Sequence, residues 1–476
     1  MNQWRLHVEN FGKIAKATID VSPFMIFVGK NNSGKSYLMV LLWGILTEAK
    51  SLIRKHLKNH PDYKAVVDAI RSSMERNDAN GTTMRLGIHE GHQQMLLTMF
   101  NTILNSQKDV LLQKVFRHSV SIGKLELSKA SYRTLNYEWF SHEDQGELSL
   151  AQNSNEKEPI GFIYYEGTEV EENIRNRSDA VIGFVIEDAL VKMICEDFYG
   201  KTPFVSEEMR KPLYLPASRT GFMHTYRAIV GNLFKSATEL VIGANHDASD
   251  AGAIIQGAEL NLPTVEFLTK LQQRDENAKR QEFYQEELRF LNEEVFQGSV
   301  ITKDSNQVRF IPRNTDVLLP LHMTSSLVAE LAPISLFLGS NYRPRLWIME
   351  EIESHLHSEM QLTVVRLLIR MFNKGNFIWM TTHSDNLAQQ INNLITLSQH
   401  PMKEQLLAKL GYKEQELFSD LSVIRAYQFE TKDGVTEVEQ LELGKYGFEM
   451  KTFNNTLDRL VRETHLIQNY AGESND

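Results

Sequence analysis

Apolar and polar side chains alternate along WRLHV and KATIDV on either side of Phe11 and Gly12. That two-residue period predicts a short antiparallel hairpin with one buried face. Residues 24–28, FMIFV, abandon the alternation, and an unbroken apolar run of this length predicts a strand covered on both faces. It leads directly into GKNNSGKS. Over residues 36–59 the positions Leu38, Leu41, Leu42, Ile45 and Leu46 recur at three-and-four spacing, so a helix follows the glycine-rich segment. Between residues 60 and 200 the pattern is mixed, with helical spacing near 62–75, 92–117 and 176–198 and strand-like pieces near 119–137 and 160–170. Residues 265–295 are polar and rich in Gln and Glu, and they carry Leu268, Leu271, Ala278, Tyr284, Leu288 and Leu291 at helical spacing. This pattern predicts a helical arm or short helical hairpin. RLWIM (345–349) and NFIWM (376–380) are apolar strands flanking an amphipathic helix over 360–373, which is the pattern of a parallel strand–helix–strand unit. SVIRAYQF and TEVEQLEL flank Lys432, Asp433 and Gly434, a hairpin signal. A final helix is predicted over 448–468, with a frayed AGESND tail. No internal repeat is present.

Composition narrows the class. The chain has 476 residues, 42% of them hydrophobic, enough for one large or two to three ordinary cores without metal or crosslinks. A single cysteine, Cys195, excludes a disulfide framework and a cysteine-based zinc site and suits a reducing compartment, so a cytoplasmic location is expected. The N-terminus lacks the basic and apolar blocks of a secretion signal, and no stretch approaches the ~20 apolar residues of a membrane span, so no membrane partner is expected. A formal net charge of -10 argues against general attraction to nucleic acid. Any such contact must be local, and the best candidate is residues 201–235, with Lys201, Arg210, Lys211, Arg219, Arg227 and Lys235 against Glu207 and Glu208. A solvated basic face is the plainer explanation of that segment.

The chemistry lies in a few motifs. Gly29, Lys30, Asn31, Asn32, Ser33, Gly34, Lys35 and Ser36 match G-x-x-x-x-G-K-[ST] between a predicted buried strand and a helix, which is the setting the motif requires. Glycines allow backbone amides to wrap phosphate oxygens, and the helix N-terminus adds partial positive charge. Lys35 is expected to reach the β- and γ-phosphates of ATP, and Ser36 to ligate Mg²⁺. Glu350 and Glu351 close the strand RLWIM. Glu350 takes the metal-side position, through a water, and Glu351 the general-base position that orients the attacking water. His383 ends the next strand, where an imidazole can donate to the γ-phosphate. Shortly before Glu350, Ser325 and Ser326 open an apolar helix, a second helix end suited to phosphate. Lys35 and Glu350 lie so far apart in sequence that a compact GTPase or kinase layout is not expected.

The order phosphate loop, Ser-Ser helix, Glu-Glu strand, His loop resembles ABC-type ATPase heads of the RecF, SMC and OLD group over nearly the whole chain. More narrowly, ENFGKI, YLPASRTGF, SSLVAELAP and MEEIESHLH resemble ATPase subunits of prokaryotic antiviral systems, the Septu ATPase PtuA foremost, with the PARIS ATPase and OLD nucleases as near relatives. The resemblance implies an α/β P-loop head with a mixed sheet plus a helical insertion and short coiled-coil arm. Residues 1–59 would form its N-terminal lobe, 60–200 a mixed insertion, 201–262 a return to the head, 263–300 the arm, and 301–476 the C-terminal lobe. It further implies ATP held between subunits of a head-to-tail dimer, with Ser325 and Ser326 closing on a partner's γ-phosphate. Lys13 would lie near the α-phosphate, His355 and His357 on a loop facing the partner, and Arg219 near the nucleotide or dimer seam.

Two departures from the family pattern matter. Glu350 stands where most P-loop proteins carry Asp, and the glycines usual beside the signature serines are replaced, so slow hydrolysis is expected. After His383 there is no Asp-x-Asp of a Toprim nuclease, and no HNH-like cluster is recognisable, so nuclease activity is expected in a separate effector chain. By resemblance that partner is HNH-type as in Septu, or Toprim-type as in PARIS, with nucleic acid or a phage protein as possible trigger. The competing expectation is a RecF- or SMC-like DNA-repair clamp.

Overall fold

A computed structural model describes residues 4–76, 83–142, 147–152, 161–164, 170–199, 206–243, 260–303, 307–450 and 461–465. Its framework is a 9-stranded sheet. In chain order the strands are β1 (Trp4–Phe11), β2 (Ile14–Asp20), β3 (Phe24–Gly29), β4 (Lys124–Lys129), β5 (Leu213–Leu215), β6 (Leu346–Met349), β7 (Phe377–Thr382), β8 (Ile424–Lys432) and β9 (Val435–Leu441). Their order across the sheet is β5-β6-β7-β3-β8-β9-β2-β1-β4. The first five are mutually parallel. β8 and β9 form an antiparallel hairpin, β9 runs parallel to β2, and β2, β1 and β4 continue antiparallel.

The continuous apolar character of β3 follows from its place in the middle of this sheet, because helices cover both faces there. Met25 and Phe27 enter one core with α1 (Lys35–His56) and α2 (Glu90–Phe116), whereas Phe24, Ile26 and Val28 enter a second core. That second core is shared with α3 (Arg219–Gly243), α4 (Ser326–Leu338), α5 (Ser358–Asn373) and α6 (Asp385–Ser398). Every residue of β3, β6 and β7 is buried. The predicted strand–helix–strand unit is β6-α5-β7, with Leu346 opposite Phe377. Both predicted hairpins form, the second turning at Asp433 and Gly434 with φ 51° and 81°, as a two-residue turn between twisted strands demands.

Three expectations need correction. Residues 265–295 are not a projecting arm. They form helices Leu262–Gln273, Ala278–Phe283 and Gln285–Phe290 and a π-turn Leu291–Phe296, and Phe267, Leu268, Leu271, Tyr284 and Leu291 are buried in the second core. Ion pairs tie this segment to α5 and its end, where Arg370 lies 3.8 Å and Lys374 3.3 Å from Glu287, and the Arg366 and Arg370 guanidinium groups also meet Glu416, further along the chain, at 2.9 and 3.3 Å. Segment 60–200 is more than an insertion. It returns β4 to the edge of the main sheet and packs α2 on α1, while Met74–Arg76, Thr83–Ile88, Leu135–His142, Glu147–Gln152 and Gly161–Tyr164 form a separate 5-stranded sheet. Finally, α1 with its extension, Lys35–Asn59, is long and apolar enough to cross a membrane, contrary to the sequence reading. Of its most apolar window 61% is buried inside the protein, as befits the core helix behind a phosphate loop. The predicted final helix does not begin at Phe448, which lies in the short strand Gly447–Phe448 paired with Leu443–Gly444; residues 461–465 are helical, and the tail lies outside the described residues.

Candidate nucleotide site

β3, β6 and β7 are adjacent and parallel, so their C-terminal ends bring three distant sequence segments to one sheet edge. The loop leaving β3 is held by glycines that admit no substitute. A Cβ on Gly29 would lie 2.5 Å from the Phe429 carbonyl oxygen on β8, and one on Gly34, at φ 95°, would lie 3.0 Å from Ile14. Asn32 also adopts positive φ, 62°. Gly34 is the N-cap of α1, so the helix's free amides open toward the loop. Lys35 is buried and its ammonium donates to the Gly29 and Lys30 carbonyls, both at 2.8 Å. Burial pulls its pKa down, and the charges of Glu351, Glu353 and Glu350 oppose that shift.

Glu350 is 7% exposed, and burial raises its pKa. The Ser36 and Tyr214 hydroxyls and the Ala217 backbone face its carboxylate and favour the charged form, while Glu351 disfavours it. Glu350 Oε1 and the Tyr214 hydroxyl nonetheless have no partner at ordinary hydrogen-bond length, and neither does buried Ser33 Oγ in the loop. A buried carboxylate oxygen without a donor, facing a serine hydroxyl at the start of α1, suits a hard divalent cation with oxygen ligands, so Ser36 and Glu350 fit Mg²⁺. Glu351 differs from its neighbour. Its φ is 42°, unusual for a residue with a Cβ, and its amide is held by the Thr381 carbonyl and hydroxyl oxygens, both at 3.1 Å. Its side chain keeps 30% exposure, and Oε1 lies 3.9 Å from His383 Nδ1.

Sequence reasoning missed Glu353. This buried residue accepts from the Thr382 hydroxyl and from the His383 amide, both at 2.7 Å, and lies 3.4 Å from His383 Nδ1. It thereby fixes the turn that presents His383, whose side chain remains 40% exposed. The Glu-Glu-x-Glu spacing after RLWIM was the available signal.

Arg219 corrects another expectation. Its side chain is fully buried, paired with Glu330 at 2.6 Å and donating to the carbonyls of Pro216 (2.9 Å), Glu350 (2.6 Å) and Glu351 (3.1 Å). With its donors spent inside the chain, it offers no face to a nucleotide or a neighbouring subunit. Burial lowers its pKa, and Glu330 opposes this most strongly. Within the basic segment around it, Lys211 is also paired, with Glu208.

Two further groups of predicted residues lie at the surface. Lys13 is exposed in the β1-β2 turn, between Gly12, where a Cβ would lie 3.8 Å from Tyr37, and Ile14, which a Cβ on Gly34 would approach to 3.0 Å. Ser325 and Ser326 are exposed at the N-terminus of α4, where Ser325 Oγ caps the Val328 amide at 3.4 Å. His355 and His357 are exposed on the loop between β6 and α5.

A phosphate loop on a central parallel strand, with acids and a histidine ending the two strands beside it, defines a P-loop nucleotide-binding protein. Residues 1–388 match the AAA ATPase domain family, and the chain belongs to it. It is an ATPase of that family. No curated protein matches the sequence. Among solved structures, the chain is similar to an SMC head bound to the C-terminal winged-helix domain of ScpA, at 12% identity and TM-score 0.36 over 93% of this chain and 98% of that one. The SMC head domain from Thermotoga maritima matches at 12% identity and TM-score 0.32, covering 93% and 100%. An SMC head with extended coiled coil, bound to the C-terminal domain of ScpA derived from Pyrococcus furiosus, matches at 12% and 0.33, covering 96% and 98%.

Proposed function

We propose that this chain is the ATP-hydrolysing subunit of a cytoplasmic prokaryotic antiphage complex, regulating a separate effector nuclease of the HNH type. The observation that carries the ATPase half of this reading is the convergence of Ser36 and Glu350, from opposite ends of the sequence, beside a phosphate loop. Gly29, Asn31, Asn32, Ser33, Gly34 and Lys35 wrap the phosphates in this reading, and Lys13 lies by the α-phosphate. Ser36 and Glu350 hold Mg²⁺, which when bound offsets charge on the phosphate oxygens. Glu351 orients the attacking water and His383 faces the γ-phosphate. Glu350 in place of the usual Asp makes turnover slow.

The assembly half rests on exposed groups. Ser325 and Ser326 are exposed at the N-terminus of α4, where helix amides and hydroxyls suit a phosphate presented by a second copy, and His355 and His357 are exposed on the loop after the acids. A head-to-tail dimer that builds into larger oligomers follows, with the nuclease docked on it and nucleic acid or a phage protein as trigger. The net charge of -10 and the burial of Arg219 within the basic segment favour this over a DNA-repair clamp. The deciding experiment coexpresses the chain with the product of the adjacent reading frame and measures solution mass with and without ATP. Copurification of an HNH nuclease with an oligomeric ATPase is the expected result. A strict monomer under both conditions, or DNA binding that strengthens with ATP and weakens with salt, overturns it.

A further inference from the structure

Glu351 sits in a backbone conformation that residues with a Cβ rarely adopt, so something must hold it there. Its amide side is held by Thr381. Its carbonyl side is held by Arg219: Nη2 donates to the Glu351 carbonyl at 3.1 Å, and Nη1 donates to the Glu350 carbonyl at 2.6 Å. The same guanidinium is anchored on α4, through Glu330 Oε1 at 2.6 Å and the Glu330 carbonyl at 3.3 Å. Glu330 Oε2 in turn accepts from the Thr220 amide at 3.0 Å and the Thr220 hydroxyl at 2.6 Å. Arg219 and Glu330 are both fully buried. With the Pro216 carbonyl at 2.9 Å included, this planar cation serves one carboxylate and four carbonyls from five donors in fixed directions, more than the three donors of an ammonium can reach.

We infer that Arg219 and Glu330 form a positioning unit that links the helix beginning at Ser325 and Ser326 to the strand end bearing Glu350 and Glu351. The link is rigid and buried, so a displacement of α4 must move the two carbonyls or break a buried charge pair. In a dry interior a broken pair leaves a charge unmatched, so α4 and the acidic pair move together. Arg219 touches no reacting atom. It acts on hydrolysis through the backbone of Glu350 and Glu351.

The inference rests on the proposed assignment of Glu351 to hydrolysis, and the experiment separates the two. The full-length wild-type chain, Arg219→Lys, and the double variant Arg219→Met with Glu330→Met are compared. The double variant removes both charges at once, so it leaves no unpaired buried charge and can fold where Arg219→Ala cannot. Three quantities are read: MgATP affinity, single-turnover hydrolysis, and hydrogen exchange of the backbone amides of residues 350–354. Both variants are expected to bind MgATP within about threefold of wild type, to hydrolyse it at least about tenfold more slowly, and to exchange those amides at least about tenfold faster. Wild-type hydrolysis and exchange in the double variant would mean that the pair only fills space, and would overturn the inference. Should the double variant fail to unfold cooperatively, Arg219→Lys decides by the same criteria. If the wild-type chain itself does not turn over ATP, the reading of Glu351 falls, while unaltered amide exchange in the variants would still refute the positioning role.

Discussion

Replacing Glu351 with glutamine tests the candidate site at its most specific point, because the structure fixes what should and should not change. The carboxylate is 30% exposed, and the His383 imidazole Nδ1 is 3.9 Å away, beyond hydrogen-bond length. An exposed contact of that kind contributes at most about 1 kcal/mol. The groups that hold the residue in place, the Thr381 oxygens and the Arg219 guanidinium, bind its backbone and are untouched. Glutamine has the same shape, so the urea midpoint should shift by no more than about 0.5 kcal/mol equivalent. Nucleotide binding should tighten, because one negative charge is removed from a site that receives a polyphosphate. At about 4 Å and the dielectric of water the effect is about 1 kcal/mol, or roughly fivefold. Hydrolysis should fall by about 10²- to 10⁴-fold, the range spanned by a lost general base. Single-turnover phosphate release, equilibrium MgATP binding and light scattering of the bound state read these quantities together. Hydrolysis within about threefold of wild type would show that Glu351 is not the base. Loss of folding would show that its side chain carries structure the contacts do not reveal.

Three other outcomes follow from the same geometry. Lys35→Met removes two hydrogen bonds to loop carbonyls and also the cost of burying an ammonium, so stability should change by less than about 1 kcal/mol while MgATP affinity falls at least about 100-fold. Unchanged binding by calorimetry would sink the phosphate-loop assignment. Glu416→Gln leaves Arg370, which is 3% exposed, without its closest anionic partner, and chemical denaturation should show a loss of about 3–5 kcal/mol. A loss below about 1 kcal/mol would mean that the pairing of α5 with Glu416 is decorative. Lys129 Nζ is buried beside Tyr132 and its pKa is pushed down to about 8 by burial, against Asp197. A lysine that loses its proton more readily when folded than when unfolded makes the unfolded chain the better proton binder between the two pKa values, so wild-type stability should rise from pH 8 toward 10.5. Lys129→Met should flatten that slope, and an identical slope in the variant refutes the assignment.

The parallel half of the sheet was legible because its signals are local. An apolar run covered on both faces reads the same in sequence as in β3, and Asp433-Gly434 can scarcely be anything but a tight turn. The phosphate loop was legible for the same reason, its glycines being required by contacts as close as 2.5 Å. What failed was tertiary. Three-and-four spacing of apolar residues over 265–295 describes a helix that buries one side, and that is equally true of a coiled arm and of a helix laid on a core. What decides between them are partners distant in sequence, the second core and the cations Arg370 and Lys374 that meet Glu287. Arg219 was read by its charge, as one of several cations in a basic stretch, whereas its role is set by Glu330 and by two carbonyls just past the end of β6. β4 carries only KLELSK, too short and too polar to announce itself as the edge of the main sheet.

Three carboxylates at one strand end could each be assigned the base, and their surroundings divide them. Glu353 has one oxygen committed at 2.7 Å to both the Thr382 hydroxyl and the His383 amide, so taking up a proton there would weaken the turn that presents His383. Glu350 is 7% exposed and faces Ser36 and Tyr214, a setting that suits a cation ligand and gives little access to a water in flight toward phosphate. Glu351 alone combines a carboxylate open to solvent with a backbone held from both sides. A base needs that combination, because it must reach a mobile water while staying fixed relative to the phosphate. The Lys35 cation attracts all three carboxylates, Glu351 most, and it is also the group expected to meet the phosphates. When Lys35 turns to a polyphosphate the acids lose part of its compensation, so the site should take up nucleotide together with a divalent cation more readily than nucleotide alone.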